Sequence, residues 1–391
     1  MWYNGIMVFE EIREEEFAGL KFDCGNFLQS AEMYRRYRDL GREAYLVGVR
    51  DDDGEIVAAG LISARKWRFG KKIMRVPGGW LMDYEGDDTA EILRFLTSRA
   101  KEFCRRKGGM VIEISPNIVG RPRDNENKVV EGADHLGVKR ELMRLRYKYL
   151  GEYEQAKWTY VLELMGKTPE GLLMEFRTTH RQLIHKAERE GVRVRELGED
   201  ELGILKRITA ESGERHGFQE PEVEYYRSMK KAFGEKVKFV VAEIPASAVR
   251  GEDLEGVSGV FEGDSGASEE SSGVPGEASW VREGYIPLAA SMFVDDGREI
   301  VYLYSGTIRK LQRYSGTYAI QWWAITRALE EGRGRYNMYG VRPVAGNGVY
   351  RFKQGFRGRV EELLGTFALP VGWLGRLYLA RLKEQEFGEI Q

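Results

Sequence analysis

One order of elements occurs twice in this chain, and that doubling limits the fold more than any other feature. In the first half, AYLVGVR (44–50), the turn DDDGE and IVAAGLISAR (56–65) read as a hairpin. Thr89 to Lys107 then carries Ile92, Leu93, Leu96, Ala100 and Phe103 at helical spacing. Gly108 and Gly109 stop that helix, and MVIEI (110–114) follows as a short strand. In the second half, KFVVAEI (238–244), YIPLAASMFV (285–294) and EIVYLYSG read as strands, with DDGR (295–298) as a turn. Thr317 to Glu331 is the matching helix, with Ile320, Trp323, Ala324 and Leu329, and Gly332 and Gly334 stop it before RYNMYGV. The copies share architecture without residue-by-residue identity. Two similar mixed α/β domains in tandem explain this. A helix over 169–190 opens the second copy, with Thr168 as N-cap, Pro169 at its first position and Gly191 as its stop.

The 391 residues suffice for two or three domains at roughly 150 residues each. Sixty basic and 62 acidic residues leave a net charge of −2, which argues against a nucleic-acid coat or a polybasic membrane tail. Two cysteines, Cys24 and Cys104, exclude a disulfide framework and a cysteine-rich zinc site. The four histidines show no H-E-x-x-H spacing, so no metal site is expected. No apolar run approaches the roughly 20 residues that span a bilayer. The N-terminal MWYNGIMVFEEIREEEF turns acidic where a secretory signal has its apolar core. A cytoplasmic protein, free of metal and disulfides, is expected. In 261–279, fourteen of nineteen residues are Gly, Ser, Asp or Glu, which predicts a mobile surface loop within the second domain.

Four segments carry residues suited to chemistry. RKWRFGKKIMR (65–75) holds six basic residues in eleven with Trp67 and Phe69 interleaved. Its Arg68, Lys71 and Lys72 suit the phosphates of RNA, a nucleotide or a lipid head group, and a solvated hairpin edge guarded by lysines is the plainer reading. In VPGGWLMDYEG (76–86), the Pro-Gly-Gly bend brings Asp83 to a strand end, as a general base, a holder of an ammonium group, or a loop cap. In VYLYSGTIRK (301–310), Tyr302 and Tyr304 are expected on one strand face, lining a sugar or peptide groove or packing in a core. In GNGVYRFKQGFRG (346–358), glycines frame Tyr350, Phe352, Lys353 and Phe356, so backbone can approach a partner while one cation points inward. Neither a phosphate-loop motif nor a dinucleotide fingerprint is present.

Taken together in order, these segments resemble the FemABX family, the peptidoglycan interpeptide-bridge aminoacyltransferases, in its arm-less FemX-like type. The likeness runs from about Phe27 to Pro370: FLQSAEMYRRY, AYLVGV, GGWLMDY, KWTYVLEL, TTHRQLIHKAEREGVRV, ERHGF with EYY, VYLYSGT, YAIQWWAI, RYNMYGV and GVYRFKQGFRGRVEELLGTFALP. The resemblance implies an α/β (α+β) fold of two tandem acetyltransferase-like (GNAT-like) domains without a coiled-coil arm. Residues 1–151 with 349–391 would form the first domain and 152–348 the second. It places the family's phenylalanine–lysine pair on Phe352 and Lys353 and its acidic residue on Asp83. The substrate side chains would be Tyr225, Tyr304, Tyr302, Arg36 and Tyr350. Two departures stand out: Tyr37 takes the register of a basic residue beside Arg36, and Pro221 that of an arginine four residues before Tyr225.

The implied reaction moves an amino acid from aminoacyl-tRNA to the stem-peptide amine of a peptidoglycan precursor, either lipid II or UDP-MurNAc-pentapeptide, with no cofactor. Such an enzyme would meet its acceptor in the cytoplasm or at the inner face of the cell membrane. Two other classes remain open. A coenzyme-A-dependent N-acyltransferase of the same fold would need a [QR]-x-x-G-x-[GA] segment, which is not found. A non-catalytic RNA- or membrane-surface adaptor is motivated by 65–75 and by KRELMRLRYKYL (139–150).

Overall fold

The computed structural model describes residues 7–132, 134–153, 155–216, 221–254 and 284–384. The predicted loop 261–279 therefore lies outside the described residues. The chain divides into two compact units, one of residues 1–160, 340–347 and 359–391, the other of residues 161–339 and 348–358. Residues 348–358, with Phe352 and Lys353, thus pack with the second unit, a different boundary from the residue 349 expected above.

In the first unit the strands run in the order Val8–Glu11, Ala44–Arg50, Ile56–Lys66, Lys72–Gly78, Gly109–Pro116, Thr366–Pro370 and Lys148–Gly151. The expected hairpin is present, with Val47 opposite Gly60. Lys72–Gly78 and Gly109–Pro116 run parallel, because the helix Thr89–Arg106 carries the chain back between them. That helix buries Ile92, Leu93, Leu96, Ala100 and Phe103, the stripe read from its spacing. Gly78 and Gly79 turn with φ of 80° and 77°, and a Cβ on Gly79 would meet the Pro116 Cα at 2.5 Å, so the bend tolerates only glycine.

The second unit repeats this plan with Arg193–Glu196, Val237–Pro245, Tyr285–Asp295, Glu299–Thr307 and Arg335–Gly340. Glu299–Thr307 and Arg335–Gly340 again run parallel and are again bridged by a helix, Gly316–Glu330. The long helix expected over 169–190 is two helices, Pro169–Glu175 and Thr178–Arg189. Phe176 breaks it by turning extended (ψ 151°) to bury its ring against Trp322 and Phe356. The freed carbonyls of Met174 and Phe176 accept hydrogen bonds from Arg181 at 2.8 and 2.7 Å. Thr168 does cap the first helix, accepting from Gly171 N at 3.1 Å.

Candidate active site

The parallel strands of the second unit pair over Glu299–Val301 and Arg335–Asn337. Beyond that ladder, side chains satisfy the main chain. The Tyr339 N–H donates to Asn337 Oδ1 at 2.8 Å, and Asn337 Nδ2 donates to Glu299 Oε1 at 3.0 Å. Lys353 Nζ donates to the carbonyls of Met338 (2.7 Å) and Tyr339 (3.3 Å). Tyr339 sits in the left-handed region at φ 57°, a strained conformation for a tyrosine that these bonds on both sides of it hold in place. Lys353 is only 4 % exposed, and burial pushes its ammonium down to about 7.

Aromatic rings hold the short helix Gly348–Gln354 that carries this lysine. Phe352 packs edge-on to Tyr318 (5.3 Å between centroids) and Phe356 (5.3 Å), and His180 lies edge-on to Phe356 at 4.8 Å. His180 Nε2 is 2.8 Å from the Phe352 carbonyl, which can only accept, so this nitrogen carries the proton. Burial pushes the imidazole pKa down, consistent with a neutral ring. Gly355 makes the close approach expected of this segment, and the group it approaches is the His180 ring of the same chain.

The same unit holds two half-buried tyrosines. Tyr225 and Tyr304 meet edge-to-face with centroids 5.5 Å apart. Tyr339's phenol is pushed up to about 12, first by burial, then by Tyr225 and Glu299. Lys353 and Tyr339 share a hydrogen bond, Tyr225 and Tyr304 a ring contact, and the charge of Tyr225 acting on the Tyr339 phenol links the two pairs into one group. Tyr302 does not belong to it. The register shifts between Met292 and Phe293, so Tyr304 pairs with Met292 while Tyr302 pairs with Phe293. This bulge puts the two tyrosines on opposite faces, contrary to the shared face expected from period two. Tyr302 is buried beside Phe293, and burial pushes its phenol up while the nearby Ser305 and Ser291 hydroxyls pull it down. Tyr350 is buried on the same short helix as Lys353. At the departing position, the Pro221 carbonyl accepts from Lys206 Nζ at 2.9 Å, so a cation stands where the sequence lacks one.

The remaining candidates lie in the first unit. Asp83 is exposed, and its Oδ1 accepts from the N–H groups of Glu85 (2.8 Å) and Gly86 (3.2 Å), the loop-cap geometry. Arg36 is buried, and burial pushes up the phenol of the neighbouring Tyr37 while the Arg36 charge pulls it down. Arg68 is exposed at the hairpin tip, Lys71 is half-buried, and Lys72 pairs with Glu43 at 2.6 Å. The basic tip and Asp83 lie at opposite ends of the parallel pair, since Lys72 faces Gly109 and Gly78 faces Pro116. Sequence reading passed over Glu152, whose Oε2 is buried without a hydrogen-bond partner and whose carboxyl burial pushes up to about 7. Only its place beside Lys157 and Arg342 marks it, and no local motif reports that. Among the described residues, no group of three His, Cys, Asp or Glu could hold a metal ion.

The FemAB family model matches residues 14–264 and 277–378. The chain is 28% identical over 408 residues to the aminoacyltransferase FemB of Staphylococcus epidermidis, covering 93% of this chain and 95% of that protein. It is 24% identical over 405 residues to the aminoacyltransferase FemA of the same species, covering 93% and 96%. Among solved structures it is similar to FemX, with a TM-score of 0.74 at 16% identity, covering 96% of this chain and 100% of that one. It is also similar to a tandem GNAT protein from the clavulanic acid biosynthesis pathway, with a TM-score of 0.54 at 10% identity over 94% and 99% of the chains. The fold is a tandem of GNAT-like units.

Proposed function

The chain belongs to the FemAB family, and from that premise we propose that it moves an amino acid from aminoacyl-tRNA to the stem-peptide amine of a peptidoglycan precursor. It is an aminoacyltransferase, and the transfer builds the interpeptide bridge. The donor ester is already activated, so the chemistry is acyl transfer to an amine. The neutral amine attacks the ester carbonyl carbon, and a C–N bond forms as the carbonyl oxygen takes up negative charge. Collapse breaks the bond to the ribose oxygen, which leaves with the proton that the amine gives up.

The observation that carries this reading is Lys353, a buried cation held by two main-chain carbonyls where the strand ladder ends. A cation preplaced in a dry site acts on developing oxyanion charge more strongly than one in water. Phe352 fixes the helix that carries it. Tyr225 and Tyr304 offer ring edges and hydroxyls to the acceptor's sugar or peptide.

Incubation with a pool of charged tRNAs and either the UDP-linked or the lipid-linked precursor tests the reaction. The expected product is heavier than the acceptor by whole amino-acid residues. An unchanged acceptor mass with both precursors would overturn the assignment.

A further inference from the structure

One end of the first unit's sheet gathers exposed apolar side chains and cations that the reaction does not use. The hairpin closes with Lys66 opposite Lys72, Lys72 lies beside Gly109, and Pro370 lies opposite Val111. The hairpin tip and the start of the helix Trp373–Arg381 therefore share that end. At the tip, Phe69 and Gly70 turn with φ of 56° and 68°, and Phe69 is 91% exposed. A phenylalanine held in the left-handed region and open to water is unfavourable on both counts. The helix lies flat on the sheet, because a Cβ on Gly375 would fall 2.0 Å from the Met110 carbonyl oxygen. Trp373 and Leu377 point away from the sheet, 70% and 53% exposed. Trp67 meets Tyr378 edge-on at 5.9 Å and ties the hairpin to this helix.

Cations outnumber carboxylates on this end, where Glu43 and Glu384 are the acidic neighbours. Segments 65–72 and 373–383 carry five and three cations and no carboxylate. Lys72 pairs with Glu43, which precedes the neighbouring strand Ala44–Arg50. We propose that this end of the first unit docks onto an anionic phospholipid bilayer. Phe69, Trp373 and Leu377 would enter the interface, while Arg68, Lys71 and Arg376 meet lipid phosphates. A nucleic acid would satisfy the cations but offers nothing to an aliphatic Leu377, whereas the interface of a bilayer takes both kinds of side chain. No helix among the described residues is long and apolar enough to cross a membrane, so this contact is interfacial. The surface extends the proposed function, since an acceptor on a lipid anchor is met at such an interface, but it rests on different residues.

Co-sedimentation with vesicles of phosphatidylcholine, with and without phosphatidylglycerol, tests it. The wild-type protein should pellet with the mixed vesicles, less so as salt rises. Phe69→Ser with Trp373→Ser should weaken that binding by about tenfold or more. Transfer to a water-soluble acceptor should be unchanged in the same double variant. Absence of wild-type binding, or equal binding by the variant, overturns the surface. So does tRNA binding lost in Arg68→Glu/Lys71→Glu protein that still pellets with the mixed vesicles, which reassigns the patch to nucleic acid. Vesicle binding without transfer to either precursor leaves this surface standing and removes the proposed reaction instead.

Discussion

Gly355 and His180 compete for one volume: a Cβ built on the glycine falls 1.9 Å from the imidazole Cε1. The glycine is thereby fixed by contact rather than by a special backbone angle. Gly355→Ala must push the ring away and loosen its 2.8 Å bond to the Phe352 carbonyl, one residue before Lys353. We expect a loss of about 1–3 kcal/mol in stability, as for other overpacked sites. Turnover should fall by more than the small unfolded fraction explains, read by melting and by initial rates on the same samples.

Lys353→Met separates charge from packing. The side chain keeps much of its length and loses the ammonium, so aminoacyl transfer should fall by about two orders of magnitude. Stability near neutral pH should hold or rise, because the wild-type chain buries a charge there. A variant with wild-type melting and near-wild-type transfer would remove Lys353 from the reaction. If the ammonium is the working form, wild-type activity also declines as pH rises through about 7, and an activity that climbs through that range would assign it instead to the neutral amine.

The tyrosines make a third test. Tyr302→Phe removes a buried hydroxyl near Ser305 and Ser291 and should cost about 1–3 kcal/mol while leaving KM for the acceptor unchanged. Tyr304→Phe should act in the opposite sense, raising that KM several-fold. Equal effects of the two changes on KM would contradict the opposite-face placement.

Patterns with a local cause were legible in the sequence. The stripe of Thr89–Arg106 and the glycine stop after it follow from side-chain period and backbone freedom, and both copies of the order appear where expected. What failed depended on partners distant in sequence. Period two put Tyr302 with Tyr304 because a bulge is set by the facing strand, at Met292 and Phe293. The break at Phe176 answers rings at Trp322 and Phe356 rather than any nearby proline or glycine. Lys353 was singled out as an inward cation, but its two carbonyl partners exist only because the strand ladder ends at Val301 and Asn337.

Glu152 and Lys353 together predict the shape of the stability curve. For Glu152, the folded carboxyl titrates at about 7 against its ordinary 4.5, so the folded state binds the extra proton between those limits. Its contribution is full below 4.5 and lost as pH rises to about 7. For Lys353 the folded value is about 7 against 10.5, so here the unfolded state binds more protons between those limits. Its contribution is full above 10.5 and lost as pH falls to about 7. The two terms therefore place a shallow minimum of stability near neutrality. Urea unfolding across that range reads it directly. Glu152→Gln should flatten the acid side alone and Lys353→Met the alkaline side alone. A Glu152→Gln protein that keeps the acid-side slope would show that another carboxyl carries it.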